Sequence, residues 1–175
     1  MGWIDTLINR KGLAASRPSA GQAGQTYYNT DTGFTDYYDG SAWKRQGGVE
    51  LGYVEATADF SSTSTTYVDV TGMTLTVTVA DRPIEIIFNG VTFASALSVL
   101  DLQLVEDPAG AATAVPFGTT THQNSILVPH HRSVRRSPSA GSHTYKLQAK
   151  TNTGTFHVGA ESNGGVRHFL QIKQL

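Results

Sequence analysis

From Val49 onward the chain is a series of short alternating stretches separated by turn residues. Met73, Leu75, Val77 and Val79 alternate with Thr74, Thr76 and Thr78. A period of two is that of a half-buried strand, apolar on one face and polar on the other. Leu100, Leu102 and Leu104 repeat the pattern within residues 97–105, and Tyr145, Leu147 and Ala149 repeat it within residues 143–150. Residues 84–93 are more continuously apolar, and Asn89-Gly90 predicts a bulge or bend there. Weaker strands are expected at residues 51–60, 67–70, 112–117, 125–128, 155–159 and 166–175. Turns are expected at Thr71-Gly72, at Asp81-Arg82-Pro83, at Asp107-Pro108-Ala109-Gly110 and around Pro138 and Gly154. Counted with these, the strands number about nine or ten, which fits a β-sandwich or jelly roll. No strand alternates with a long helical pattern, which argues against a parallel α/β sheet.

The N-terminal part differs. Trp3 and Leu7, and Ile4 and Ile8, lie four apart, so residues 2–11 predict a short helix with one apolar face. Asp5 near its start, Arg10 and Lys11 at its end, and Gly12 beyond suit the helix dipole. About ten helical residues are marginal alone in water, so the helix needs a docking surface. Its own body, a sister subunit and a larger assembly are all open. Residues 13–24 (LAASRPSAGQAG) read as a linker by composition. Residues 25–48 then predict a three-stranded meander. Thr26-Tyr27-Tyr28 and residues 34–38 are strands, Asp39-Gly40 is a hairpin signal, and Ser41 to Arg45 return. Tyr27, Tyr28, Phe34, Tyr37, Tyr38 and Trp43 crowd this stretch. Stacked across strands they form a small core, with a carbohydrate-stacking surface the less favoured reading.

The expected division is therefore an attachment arm over residues 1–24, an aromatic meander over 25–48 and a jelly-roll domain over 49–175. The whole is 175 residues and 18.7 kDa, enough to bury a core without disulfides. The sequence has no cysteine, which excludes thiolate metal sites, iron–sulfur clusters and a thiol nucleophile. Charged residues are only 15%, as in a Thr-, Val- and Gly-rich β protein rather than a helical enzyme. Net charge is −1, but residues 1–107 hold thirteen acids and six bases while residues 108–175 hold one acid, Glu161, and seven bases. The halves are thus −7 and +6. Strand sets of opposite sign meeting within or between subunits explain this better than nucleic acid. Arg132, Arg135 and Arg136 form the one tight basic cluster, and it lacks interleaved aromatics. Apolar stretches are too short to span a bilayer. The N-terminus has an acid where an export signal carries bases. Synthesis in a cytoplasm without general secretion is the expectation.

Catalytic signatures are missing. There is no phosphate loop, zincin helix or nucleophile elbow. Glu106 and Asp107 precede Pro108 and are expected to be a solvated turn pair. His130-His131 could meet a metal with His122 or His143, but neighbours on a strand point to opposite faces and cannot readily share one ion. A histidine meeting its symmetry mates on a three-fold axis is a further possibility. The expectation is a non-enzyme with no catalytic, cofactor or metal residues.

Residues 17–46 (RPSAGQAGQTYYNTDTGFTDYYDGSAWKRQ) resemble a module frequent in tailed-bacteriophage virion proteins. Arg17-Pro18, Asp31-Thr32-Gly33, Tyr37-Tyr38, Asp39-Gly40 and Ala42-Trp43 carry the resemblance. The stretch from Ala58 (ADFSSTSTTYVDVTGMTLTVTV) is similar to the start of a phage-type jelly roll of the tumour-necrosis-factor and complement-head kind, and Arg167 to Lys173 resemble its last core strand. The resemblance implies a virion surface component, a small appendage or decoration protein on tail or capsid, as a homotrimer, with residues 1–24 contacting other virion proteins. A receptor- or host-glycan-binding module is the alternative.

Overall fold

The computed structural model describes residues 10–31, 34–45, 48–56, 58–80, 82–110, 112–122, 126–159 and 167–175. The chain forms two compact units, residues 1–48 and 49–175.

The first unit is a four-stranded sheet in the order β1-β2-β3-β4, with β1 at Arg10–Gly12, β2 at Thr26–Asn29, β3 at Phe34–Tyr38 and β4 at Trp43–Arg45. The three expected meander strands are present, and β1 adds a fourth, parallel to β2. This corrects the helix expected over residues 2–11. Residues 2–9 lie outside the described residues, but Arg10 and Lys11, its last two, are extended and pair with Tyr27 and Tyr28. An open strand edge offers these residues backbone partners that a marginal helix end cannot match. Among the described residues the helical content is one 3-10 turn, Ala14–Ser16.

Residues 13–24 hold no strand, as their composition predicts, yet they are fastened to the sheet. Trp43 Nε1 donates to the Pro18 carbonyl at 2.8 Å and Tyr27 Oη to the Leu13 carbonyl at 2.9 Å. Arg17 pairs with the buried carboxylate of Asp36. Tyr27 and Tyr38 are buried and meet Trp43 edge-on, with centroids 6.0 and 5.4 Å away. Half of the aromatic cluster is thus a small core. Tyr28 and Tyr37 point to the other face and are exposed.

The second unit is a jelly roll by strand order. Its main strands are β5 (Val49–Ala56), β7 (Val68–Val79), β8 (Ile84–Ala94), β9 (Ser98–Glu106), β10 (Thr113–His122), β11 (Val128–Arg136), β12 (Gly141–Thr151) and β14 (His168–Gln174). One sheet runs β10-β9-β12-β7; the other runs β5-β14-β8, with β11 on the far side of β8. Taken as eight successive strands, the first, eighth, third and sixth share one sheet and the second, seventh, fourth and fifth the other. Two interlocked Greek keys give that order. Short strands β6 (Phe60–Ser62) and β13 (Phe156–Val158) extend the second sheet past the end of β14.

The alternations foreseen in the sequence point inward as expected. Met73, Val77 and Val79, Leu100, Leu102 and Leu104, and Tyr145, Leu147 and Ala149 lie in one core with Ile84, Ile86, Phe88, Leu170 and Ile172. Each of the larger aliphatic, Met and Phe side chains contributes roughly 1.5–3 kcal/mol by leaving water. Three local expectations are corrected. Thr71-Gly72 is not a turn: β7 is one strand, and Gly72, at φ +81°, forms a bulge where the β12 register shifts. Asn89-Gly90 is neither bulge nor bend but regular ladder. Glycine is needed at 90 because a Cβ there would lie 2.7 Å from that of His168. The strand expected at residues 125–128 begins only at Val128 and continues to Arg136, taking in the arginine cluster.

Candidate functional site

Glu106 ends β9 and is directly opposite Tyr145 of β12. Leu100, Leu102 and Leu104 face the core, and the same alternation carries Glu106 inward, where it is 8% exposed. The expectation of a solvated turn pair is therefore corrected. A buried carboxylate needs partners, and Glu106 has them. Tyr145 Oη donates to Oε1 at 3.1 Å, and Arg136 Nη2 donates to Oε2 at 3.1 Å. Burial, then the Glu106 charge, raises the Tyr145 pKa and keeps the hydroxyl protonated.

Asp107 follows in the left-handed region at φ 49°. Its backbone N–H donates to the Thr144 carbonyl at 2.7 Å, and the Thr144 N–H donates to Oδ1 at 2.9 Å. Asp107 Oδ2 lies 2.8 Å from His143 Nδ1, and Glu106 Oε1 lies 3.4 Å from the same nitrogen. His143 Nε2 lies 2.9 Å from the Ser139 carbonyl. Burial opposes charge on this ring, but the Ser139 carbonyl and then the two carboxylates outweigh it and raise the pKa. An acid, a second acid and a histidine thus converge where β9 and β11 end and β12 begins. The sequence held one overlooked signal for this: Glu106 continues the Leu-x-Leu-x-Leu alternation.

The other histidines divide as strand alternation requires. His130 is buried and His131 exposed, on opposite faces of β11. Across the sandwich, His130 Nε2 and His122 Nε2 lie 2.7 and 3.0 Å from the hydroxyl of Thr92. One hydroxyl serves both rings when it donates to one and accepts from the other. His168 is fully buried, and neither ring nitrogen has a partner among the described residues. Burial pushes all three below the usual histidine value, His130 to about 4 with Arg132 and His122 adding to the effect. His143 belongs to the other cluster.

The charge asymmetry is met in part inside the chain. Arg136–Glu106, Lys146–Asp69, Lys150–Asp101 and Arg167–Glu55 each join a base beyond residue 107 to an acid before it. Jelly-roll order interleaves early and late strands, which brings the two halves together. Of the arginine cluster, Arg136 holds Glu106, Arg132 packs beside Gly118 and Arg135 faces solvent.

The outer face of the β5-β14-β8-β11 sheet carries apolar side chains. Tyr53 is 43% exposed and packs at a tilt against Phe169, with ring centroids 5.3 Å apart. Ile87, Val91 and Phe93 share this face by alternation along β8, and Phe93 lies flat on His157 at 3.9 Å. Among the described residues no helix is long and apolar enough to cross a membrane.

No protein-family model and no curated protein matches the chain. Several solved structures do. A chain of the infectious bursal disease virus Gx strain is 9% identical over 77% of this chain, with a TM-score of 0.42. This chain spans 43% of that one. Murine APRIL is 13% identical over 81% of this chain and 88% of its own, with a TM-score of 0.40. The CBM22-1 xylan-binding domain of Paenibacillus barcinonensis Xyn10C is 13% identical over 74% and 96%, with a TM-score of 0.38. Likeness at this level says nothing of activity, and the jelly-roll assignment rests on strand order.

Proposed function

We propose that the chain is a non-enzymatic structural component of a bacteriophage virion, a homotrimeric appendage or decoration protein on tail or capsid whose residues 1–24 contact neighbouring virion proteins. The observation that carries the reading is the outer face of the β5-β14-β8-β11 sheet. There Tyr53, 43% exposed, packs against the half-buried Phe169, an aromatic pair left open to water on a sheet face. Packing that face between copies removes the aromatic pair from water. The resemblance of residues 17–46 to virion modules supports the setting. The acid–histidine corner does not argue for hydrolysis: Tyr145 and Arg136 hold Glu106 tightly rather than leaving it free to take a proton.

Light scattering of the purified chain is expected to give about three times 18.7 kDa, and Tyr53→Lys is expected to shift it toward the monomer. A wild-type monomer at micromolar concentration overturns the trimer. Copurification with particles, lost when residues 1–24 are deleted, tests the virion role. A glycan-binding module is the second reading, favoured by Tyr28 and Tyr37 exposed on one face of the first unit. Glycan-array binding that is lost in Tyr28→Ala with the trimer intact would favour it.

A further inference from the structure

The corner of Glu106, Asp107 and His143 gathers three groups that can each ligate a metal ion. Their ligand atoms all lie within 4.8 Å of one another. The measured separations from His143 Nδ1, 2.8 and 3.4 Å, bracket the edge of about 3.3 Å in a tetrahedron with metal–ligand bonds near 2.0–2.1 Å. The histidine supplies a second observation from outside the acidic pair. A carbonyl only accepts, so Nε2 carries a proton toward Ser139. Nδ1 then faces two carboxylates, a contact made favourable by a cation bound between them or by a proton on Nδ1.

Each of the three groups is also held from behind. Arg136 holds the far oxygen of Glu106, the Thr144 N–H holds the far oxygen of Asp107, and the Ser139 carbonyl holds the far nitrogen of His143. Outer partners of this kind fix metal ligands in orientation. A depression lined by Asp107, Pro108, Ala109, Gly110, Thr144 and Lys146 opens beside Asp107.

We infer that Glu106 Oε1, Asp107 Oδ2 and His143 Nδ1 form a divalent-cation site, with zinc the ion their mixed oxygen–nitrogen set fits. Two carboxylates and one imidazole suit zinc better than calcium, which takes six to eight oxygens. Bound there, the ion joins the end of β9 to β12. The inference is independent of the virion reading.

The test is calorimetric titration of zinc into the chelator-treated full chain at pH 7.5, repeated with cobalt to read the coordination from its visible spectrum. One ion per chain is expected, with a tetrahedral cobalt spectrum and a rise in melting temperature. Asp107→Asn and His143→Ala are each expected to weaken binding about tenfold or more and to abolish that rise. Asp107→Asn keeps an acceptor for Thr144 and tolerates the left-handed backbone, so it answers the question if His143→Ala fails to fold. Absence of saturable binding at submillimolar zinc overturns the site and leaves a proton as the occupant of His143. Binding that keeps its affinity in Asp107→Asn overturns it equally, because the ion then sits on other histidines.

Discussion

Lowering the pH from 7.5 to 5 should weaken the jelly roll through the histidines around Thr92. His130 titrates near 4 in the folded chain and near 6.5 when unfolded. Its folded value is depressed, so the unfolded chain binds more protons below 6.5. The contribution is whole above that value and declines as pH falls, levelling off near the folded value of about 4. Across the full window it amounts to about 3 kcal/mol, and at pH 5 about 2 kcal/mol is already lost, both of order-of-magnitude precision. His122 and His168 are depressed by burial and act in the same direction. Arg132 repels a proton on His130, while Asp59 and Glu55 attract one on His168 and moderate its share. The assay is urea unfolding at the two pH values. With a slope of about 1–3 kcal/mol per molar, the midpoint should drop by about 1 M at pH 5. His130→Gln keeps a hydrogen-bonding side chain without the titration and should lose part of the drop. Taking wild type minus variant cancels His143, which titrates in the opposite sense, and the carboxylates. Equal midpoints at both pH values, or an undiminished drop in the variant, would refute the reasoning.

Two substitutions probe the units separately. Trp43→Ala removes the ring that Tyr27 and Tyr38 meet edge-on and the donor to Pro18, so it should cost the first unit about 3–5 kcal/mol; exchange of the β2 and β3 amides with deuterium should accelerate while those of β8 hold, and uniform protection would contradict it. Gly90→Ala puts a Cβ 2.7 Å from that of His168 and 3.0 Å from the Phe88 ring; about 1–3 kcal/mol should be lost from the second unit, and an unchanged melting temperature would show that the strands separate freely there.

The legible parts of the fold were those where one periodicity rules. Strands β7, β9 and β12 each carry three or more inward apolar residues at period two, and their faces came out as read. The misreadings share a cause, namely local signals that tertiary pairing overrides. Thr71-Gly72 has turn chemistry, yet β12 runs past it and absorbs the glycine as a bulge. Asn89-Gly90 has the same chemistry, yet β11 and β14 flank it and the missing side chain makes room for His168. Arg10 and Lys11 fit a helix end, yet the edge of β2 holds them extended. Residues 13–24 look like a linker because small residues and Pro18 form no regular element, although their carbonyls receive Trp43 and Tyr27.

The site was less legible because no sequence spacing ties the Glu106-Asp107 pair to His143 or Arg136. Glu106 and His143 are brought together by β12 lying beside β9, and Arg136 arrives from the opposite sheet. What sequence could offer was a conflict: a carboxylate in register with three buried leucines has to find donors or leave the core. The charge asymmetry is the same conflict on a larger scale. An acidic first part and a basic last part could have marked a nucleic-acid surface, but jelly-roll order sets β12 beside β7 and β9, and β14 beside β5. Lys146 then falls on Asp69, Lys150 on Asp101 and Arg167 on Glu55. Exposed pairs of this kind contribute only about 0–1 kcal/mol each. Their larger effect is on register: a strand slipped by one residue would turn each base to the opposite face, away from its acid. Charge and apolar alternation therefore select the same pairing of late strands with early ones.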